Sequence, residues 1–299
     1  MKILLFGKNG QVGWELQRSL APLGELIALG SSSEDHCGDF TNLAGIAKTV
    51  RELAPDVIVN AAAYTAVDKA ESDVELARIV NAAAPGVLAE EAKRCGATLI
   101  HFSTDYVFDG SGTQPWKETD TTNPLSVYGK TKRDGEQLII DARCKHLIFR
   151  TSWVYAARGG NFAKTMLRLA QERDQLSVIN DQFGAPTGAD LLADVTAQCM
   201  HQASERSDVS GIYHLVAGGE TSWYDYACFV IEFARRSGLS IKVAAESIKP
   251  IPSSAYPVPA QRPKNSRLDT HKLQNTFNLR LPQWQIGMVR MLTEIGENK

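Results

Sequence analysis

Tyr128 and Lys132 stand one helical turn apart in the run Tyr128-Gly129-Lys130-Thr131-Lys132. At i and i+4 a phenol and an ammonium share a helix face, where the lysine can hold a cofactor ribose while its charge draws the phenol's pKa down from about 10 towards working pH. A phenol so tuned is a proton donor for a carbonyl under reduction. A second hydroxyl, Thr104, closes the apolar run Thr98 to Ser103. That places it at the carboxyl edge of a strand, where open α/β sheets bind ligands. At the other end of the same chemistry, Lys2 to Phe6 runs into Gly7-Lys8-Asn9-Gly10-Gln11-Val12-Gly13 and then a helical pattern. Backbone N–H groups at such a helix start form a pyrophosphate site. The spacing is Gly-x-x-Gly-x-x-Gly, not the dinucleotide fingerprint Gly-x-Gly-x-x-Gly, so a plain glycine turn with a tight helix contact is the competing reading.

The elements that must position these groups follow from the pattern of apolar runs. Lys2 to Gly7, Glu25 to Gly30, Asp56 to Ala62, Thr98 to Ser103 and His146 to Thr151 are nearly continuous in Ile, Leu, Val and Phe, as strands covered on both faces are. Between them Gln11 to Leu20, Leu43 to Leu53, Val74 to Ala92 and Val127 to Ile140 have the length and period of crossover helices, with Asn123-Pro124 as the expected start of the last. The fold class is therefore α/β, a doubly wound parallel sheet of the Rossmann kind. A dinucleotide-binding domain is expected over residues 1–150, with returning segments from about 176–216. Residues 151–299 make up most of a second, smaller substrate-binding domain. Five prolines between Pro250 and Pro263 remove too many donors for a central strand, so that stretch is expected as a loop over a pocket.

Two further positions bear on the cofactor. The second strand ends in Gly30-Ser31-Ser32-Ser33, with neither the carboxylate that reads a ribose diol nor an arginine for a 2′-phosphate. No Lys or Arg lies between Arg18 and Lys48, which predicts use of either NADPH or NADH unless a cation comes from elsewhere. Asp39-Phe40 offers a carboxylate for an adenine amino group and a ring to lie against it, or alternatively a helix cap. Ala61 to Ala63, after the third strand, are small enough to pass beneath a cofactor or to pack a strand end.

Composition narrows the rest. The 299 residues are 43% hydrophobic and 22% charged, enough for a chain that buries roughly 75% of its unfolded surface. A net charge of −2 carries none of the basic excess that nucleic-acid binding leaves. Five dispersed cysteines without a Cys-x-x-Cys pair point to a reducing, cytoplasmic setting, and neither a signal peptide nor an 18-residue apolar run is present, so no membrane partner is expected. No local carboxylate cluster names metal ligands.

Taken together, Gly7-x-x-Gly10-x-x-Gly13, Thr104 and Tyr128-x-x-x-Lys132 resemble the extended short-chain dehydrogenase/reductase superfamily. The block Asn60 to Glu71, Ser103-Thr104-Asp105-Tyr106-Val107-Phe108, Arg150-Thr151-Ser152-Trp153-Val154-Tyr155 and Arg262-Pro263-x-x-Ser266 resemble, more narrowly, the dTDP-4-dehydrorhamnose reductase family, over nearly the whole chain. The resemblance implies an NAD(P)H-dependent oxidoreductase that reduces the 4-keto group of a dTDP-sugar. Tyr128 would be the proton donor, Lys132 its ribose-bound partner and Thr104 the hydroxyl that positions the sugar. It implies cofactor contacts from Gly7, Gly10, Gln11, Val12, Gly13, Gly30, Asp39, Phe40, Ala63, Tyr64, Thr65, Tyr128 and Lys132. It further implies sugar-nucleotide contacts from Thr104, Asp105, Tyr128, Trp153 and Arg262, together with Mg2+ and a homodimer. By charge and placement Arg262, Lys264 and Arg267 are candidates for the substrate's diphosphate. Two alternatives stay open on the residues alone: an epimerase or dehydratase on the same scaffold, and a non-catalytic dinucleotide-binding regulatory protein.

Overall fold

A computed structural model describes residues 1–297. Six parallel strands form the central sheet: β1 (Lys2–Phe6), β2 (Glu25–Leu29), β3 (Val57–Asn60), β4 (Thr98–Thr104), β5 (Lys145–Thr151) and β6 (Gly211–His214), in the order β6-β5-β4-β3-β1-β2. The period-two alternation of a strand sorts their side chains onto two faces. Ile3, Leu5, Val57, Val59, Ile100, Phe102, Leu147 and Phe149 point to one, where α1 (Gln11–Leu20) and Ala189–Glu205 cover them. Leu4, Phe6, Ile58, Leu99 and Ile148 point to the other, beneath α2 (Leu43–Leu53), α3 (Ala84–Cys95) and α4 (Val127–Ala142). Both faces are dry, which is why these strands read as unbroken apolar runs rather than alternating ones.

Strand order reverses between β1 and β3, and Gly7 lies there with φ of +86°. A side chain at Gly7 would begin 2.6 Å from Ala62 N, and one at Gly13 would begin 2.0 Å from the Gly7 carbonyl oxygen. These two glycines therefore let strand, loop and helix close on one another at the switch point of the sheet, where doubly wound folds open a ligand crevice.

Several elements differ from the sequence expectation. The helix predicted over Val74 to Ala92 is broken by a π-turn at Ile79–Ala83 before Ala84–Cys95 resumes, and that turn carries the buried Asn81. α4 is capped by Ser126, whose Oγ accepts from Gly129 N at 3.2 Å, and not by Asn123. Asn123 instead donates to Asp109 on the approach. The proline-rich stretch begins with a real strand, Ile248–Ile251, which pairs in parallel with Leu176–Ile179 away from the main sheet. Pro250 is tolerated because a two-stranded ribbon consists of edges. Chain after Thr151 thus divides: Ala189–Glu205 and β6 return to the central layers. By contrast, Phe162–Glu172, Trp223–Arg236 and Trp284–Glu297 pack on one another through Tyr226, Ala163, Met288 and Leu292. Among the described residues no helix is long and apolar enough to cross a membrane.

Candidate active site

The carboxyl ends of β1, β3 and β4 and the start of α4 bring the sequence candidates to one edge. At the glycine loop, Gly10 is the N-cap of α1 in extended conformation and supplies no side-chain cap. The first turn of that helix therefore leaves its N–H groups and its positive dipole end to an anion. Gln11 reaches across to the loop after β5, donating to Gly160 O at 3.4 Å. Val12 packs on the core beneath the loop. At the end of β2, Gly30 N donates to Ser33 Oγ at 2.9 Å, and the Lys8 Cε comes within 3.7 Å of the point where a Gly30 side chain would begin. A cation does therefore stand at this strand end, supplied by the glycine loop, a position that no search of the chain between Arg18 and Lys48 could reveal.

Asp39 Oδ1 accepts from both the N–H and the hydroxyl of Thr41, while the cap of α2 is Asn42. Phe40 is buried in the core, its ring T-shaped against Phe6 at 5.4 Å. Ala63, Tyr64 and Thr65 follow β3 in a loop held from below by Asn81. Its amide accepts from Tyr64 N at 2.8 Å and donates to Tyr64 O at 3.0 Å. A third contact from Asn81 reaches Thr131 on α4 at 3.3 Å. Asn81 thus couples the small-residue loop to the helix that carries Tyr128 and Lys132. Sequence reasoning missed it because a single Asn in a helical pattern carries no signal; the π-turn that aims it is the kind of irregularity that recurs at functional sites.

Gly129, inside the Tyr128-to-Lys132 run, is there for space: a side chain would begin 2.2 Å from the Tyr106 carbonyl oxygen. That close approach seats Tyr128 beside Tyr106, whose ring meets it edge-on at 5.5 Å. Thr104 Oγ1 donates to Asp105 Oδ1 at 3.1 Å, accepts from Tyr106 N at 3.2 Å and interacts with the Tyr128 hydroxyl. In the cofactor-free site Lys132 is not among the groups that set the phenol's pKa. Burial pushes Tyr128 up to about 12, with the Asp105 carboxylate adding to the rise and Thr104 opposing it. Lys132 lies instead on the sheet, its Nζ 2.6 Å from Phe102 O and 3.2 Å from His101 Nε2. Burial likewise pushes Asp105 up to about 6 against its bonds from Ser266 and Thr104.

Beyond this edge a cleft of about 1000 Å3 opens towards the second unit, walled by Phe162, Gln182 and Trp223 on one side and the Tyr256–Lys264 loop on the other. Trp153, in left-handed conformation at φ of +49°, stacks on Trp223 with centroids 3.6 Å apart. Trp223, which the sequence reading did not single out, is therefore the ring that lines the cleft, with Trp153 stacked on it and not itself a lining residue. The basic candidates are all paired. Arg262 is bidentate to Asp68 at 2.9 and 2.7 Å, Lys264 lies 3.0 Å from Asp181, and Arg267 pairs with Glu220 while covering the Phe183 ring. Arg262 and Lys264 line the cleft; Arg267 does not. For the magnesium that the resemblance implies, the described residues contain no group of three His, Cys, Asp or Glu side chains able to hold a metal.

Comparison with known proteins gives the family. Residues 1–296 match the family model described as the RmlD substrate binding domain. A dTDP-4-dehydrorhamnose reductase of Salmonella typhimurium is 61% identical over 295 residues, covering 99% of this chain and 98% of the relative. A solved dTDP-4-dehydrorhamnose reductase from Clostridium acetobutylicum superposes with a TM-score of 0.90 at 36% identity, covering 99% of this chain and 100% of that one. Another from Bacillus anthracis, in complex with NADP, superposes with a TM-score of 0.86 at 32% identity, covering 98% and 99%. The chain belongs to the RmlD substrate-binding-domain family, the family of these reductases.

Proposed function

We propose that this chain reduces the C4 keto group of dTDP-4-dehydro-L-rhamnose to give dTDP-L-rhamnose, with a hydride from NADPH or NADH, in the cytoplasm. The observation that carries the reading is the 61% identity to a dTDP-4-dehydrorhamnose reductase, sustained across 295 residues. It separates a reductase from an epimerase or dehydratase on the same scaffold, which the residues alone leave open.

The site residues suit that chemistry. The uncapped start of α1 and the glycines at 7 and 10 would hold the pyrophosphate, the Ala63–Thr65 loop would lie along the cofactor, and Lys8 would meet a 2′-phosphate. When bound, the nicotinamide supplies the hydride. Tyr128 gives its hydroxyl proton to the oxygen that becomes negative as C4 is reduced. With its pKa pushed up to about 12, the phenol keeps that proton until an alkoxide-like oxygen develops beside it. Thr104, anchored by Asp105 and Tyr106, fixes the direction of that transfer. Trp223, backed by Trp153, offers a flat apolar wall to the thymine or sugar, and Arg262 and Lys264 bring cations to the diphosphate.

Deuterium transfer tests the reading. With nicotinamide deuterated at C4 and the keto-sugar as substrate, the label should appear at C4 of the product sugar. Product whose C4 carries only solvent hydrogen would contradict it.

A further inference from the structure

His101 lies on β4, opposite Asn60 on β3 and Ile148 on β5, and is fully buried. Asn60 Oδ1 accepts from Ala62 N at 3.0 Å, which fixes the amide and turns its Nδ2 towards His101 Nδ1 at 2.9 Å. An amide nitrogen only donates, so His101 Nδ1 must be bare and the neutral ring carries its hydrogen on Nε2. That N–H faces Lys132 Nζ at 3.2 Å, while Nζ also donates to Phe102 O at 2.6 Å. An ammonium has three donors and no acceptor. Nε2–H and Nζ can therefore hydrogen-bond only when Lys132 is a free amine with a lone pair for the imidazole hydrogen.

We propose that His101, locked by Asn60 as the Nε2–H tautomer, is a positioning residue that favours the free amine of Lys132 in the cofactor-free protein at mildly alkaline pH, so that Lys132 takes up a proton from water as NADPH draws it onto the ribose. The proposal rests on the reductase reading, in which Lys132 contacts the cofactor. Other charged and titratable groups around Lys132 leave the logic intact. Glu136, on the same helix, favours the ammonium of Lys132 but is itself bound bidentately by Arg150 of β5, which offsets its charge. Tyr128, one turn earlier, is a neutral phenol, and Asp105 is engaged with Thr104 beyond the end of β4. Burial also pushes Lys132 down to about 8, with Glu136 opposing, and burial beside Lys132 holds His101 well below the ordinary histidine range.

NADPH binding measured by titration calorimetry in two buffers of different ionisation enthalpy counts the protons exchanged. At about pH 8 wild type should take up roughly half a proton per site, rising towards one by about pH 9, because the lysine is near 8 when free and returns to its ordinary range on the cofactor. Asn60→Asp reverses the tautomer, since a carboxylate accepts from Nδ1–H and leaves Nε2 as an acceptor for the ammonium. Proton uptake should then be lost while NADPH still binds. If that variant does not fold, the imidazole 15N spectrum of wild type, assigned with His101→Gln, decides: a bare Nδ1 and a protonated Nε2 are expected. NADPH binding without proton uptake, or the opposite tautomer, overturns the inference alone. Failure of wild type to bind NADPH overturns the reductase reading and the inference with it.

Discussion

Arg262 and Asp68 form a bidentate ion pair between residues 194 apart in sequence, at 2.9 and 2.7 Å. It ties the cleft's late loop to the segment that follows β3, and Asp68 accepts from Ala260 N in the same contact. Asp68 is held below the usual carboxylate range chiefly by the Arg262 bond. Asp68 is half-exposed, so solvent weakens the pair and its value to global stability is small. Under the proposed reductase reading, its consequence is for substrate binding.

Asp68→Asn and Arg262→Ala should therefore both loosen the loop and raise KM for the sugar nucleotide. If Arg262 also meets the diphosphate, its removal should raise KM by about tenfold more than removal of Asp68, a difference of roughly 1.4 kcal/mol. Steady-state kinetics of the two variants and the double variant measures this. Equal KM effects in all three would confine Arg262 to holding the loop.

Tyr128→Phe should lower kcat by about 10² to 10⁴-fold with NADPH affinity nearly unchanged, because the hydroxyl acts as the bond to hydride forms. Fluorescence titration of NADPH alongside turnover gives both numbers. A variant with wild-type kcat would remove the phenol from proton transfer.

Lys8 brings its side chain to the end of β2, its Cε 3.7 Å from where a Gly30 side chain would begin. Lys8→Ala should raise KM for NADPH several-fold and leave KM for NADH within about twofold, since only the former carries the 2′-phosphate. Equal losses with the two cofactors would mean that Lys8 serves the glycine loop itself.

Asp105 carries a pH signature. Its carboxyl, near 3.8 in an unfolded chain, is pushed up to about 6 by burial. Between those values the folded protein binds more protons than the unfolded one, so this group's contribution to stability falls as pH rises through that window. Keeping it ionised above about pH 6 costs on the order of 3 kcal/mol. Asp105→Asn, which carries no charge, should therefore gain thermal stability relative to wild type on going from about pH 4 to pH 8. A stability difference that does not move with pH would place the carboxyl in contact with solvent.

Much of this was legible from sequence because it depends on local pattern. Continuous apolar runs identified β1 to β5, the glycine loop announced an uncapped helix start, and the i, i+4 spacing placed Tyr128 and Lys132 on α4. What stayed hidden depends on contacts across the chain. Asn81 acts only because a π-turn aims it at a loop 17 residues back. Lys132 turned out to meet His101 and Phe102, since the face it shares with Tyr128 is set by spacing but its resting partner is set by β4. Trp223 matters through its stack on Trp153, and Pro250 sits in a strand that exists only as an edge.

The stoichiometry of cofactor use tests the central claim most directly. With purified dTDP-4-dehydro-L-rhamnose and NADPH, one mole of nicotinamide should be oxidised for each mole of dTDP-L-rhamnose formed, and Tyr128→Phe should slow both together. Product formed without net oxidation of NADPH would contradict the account.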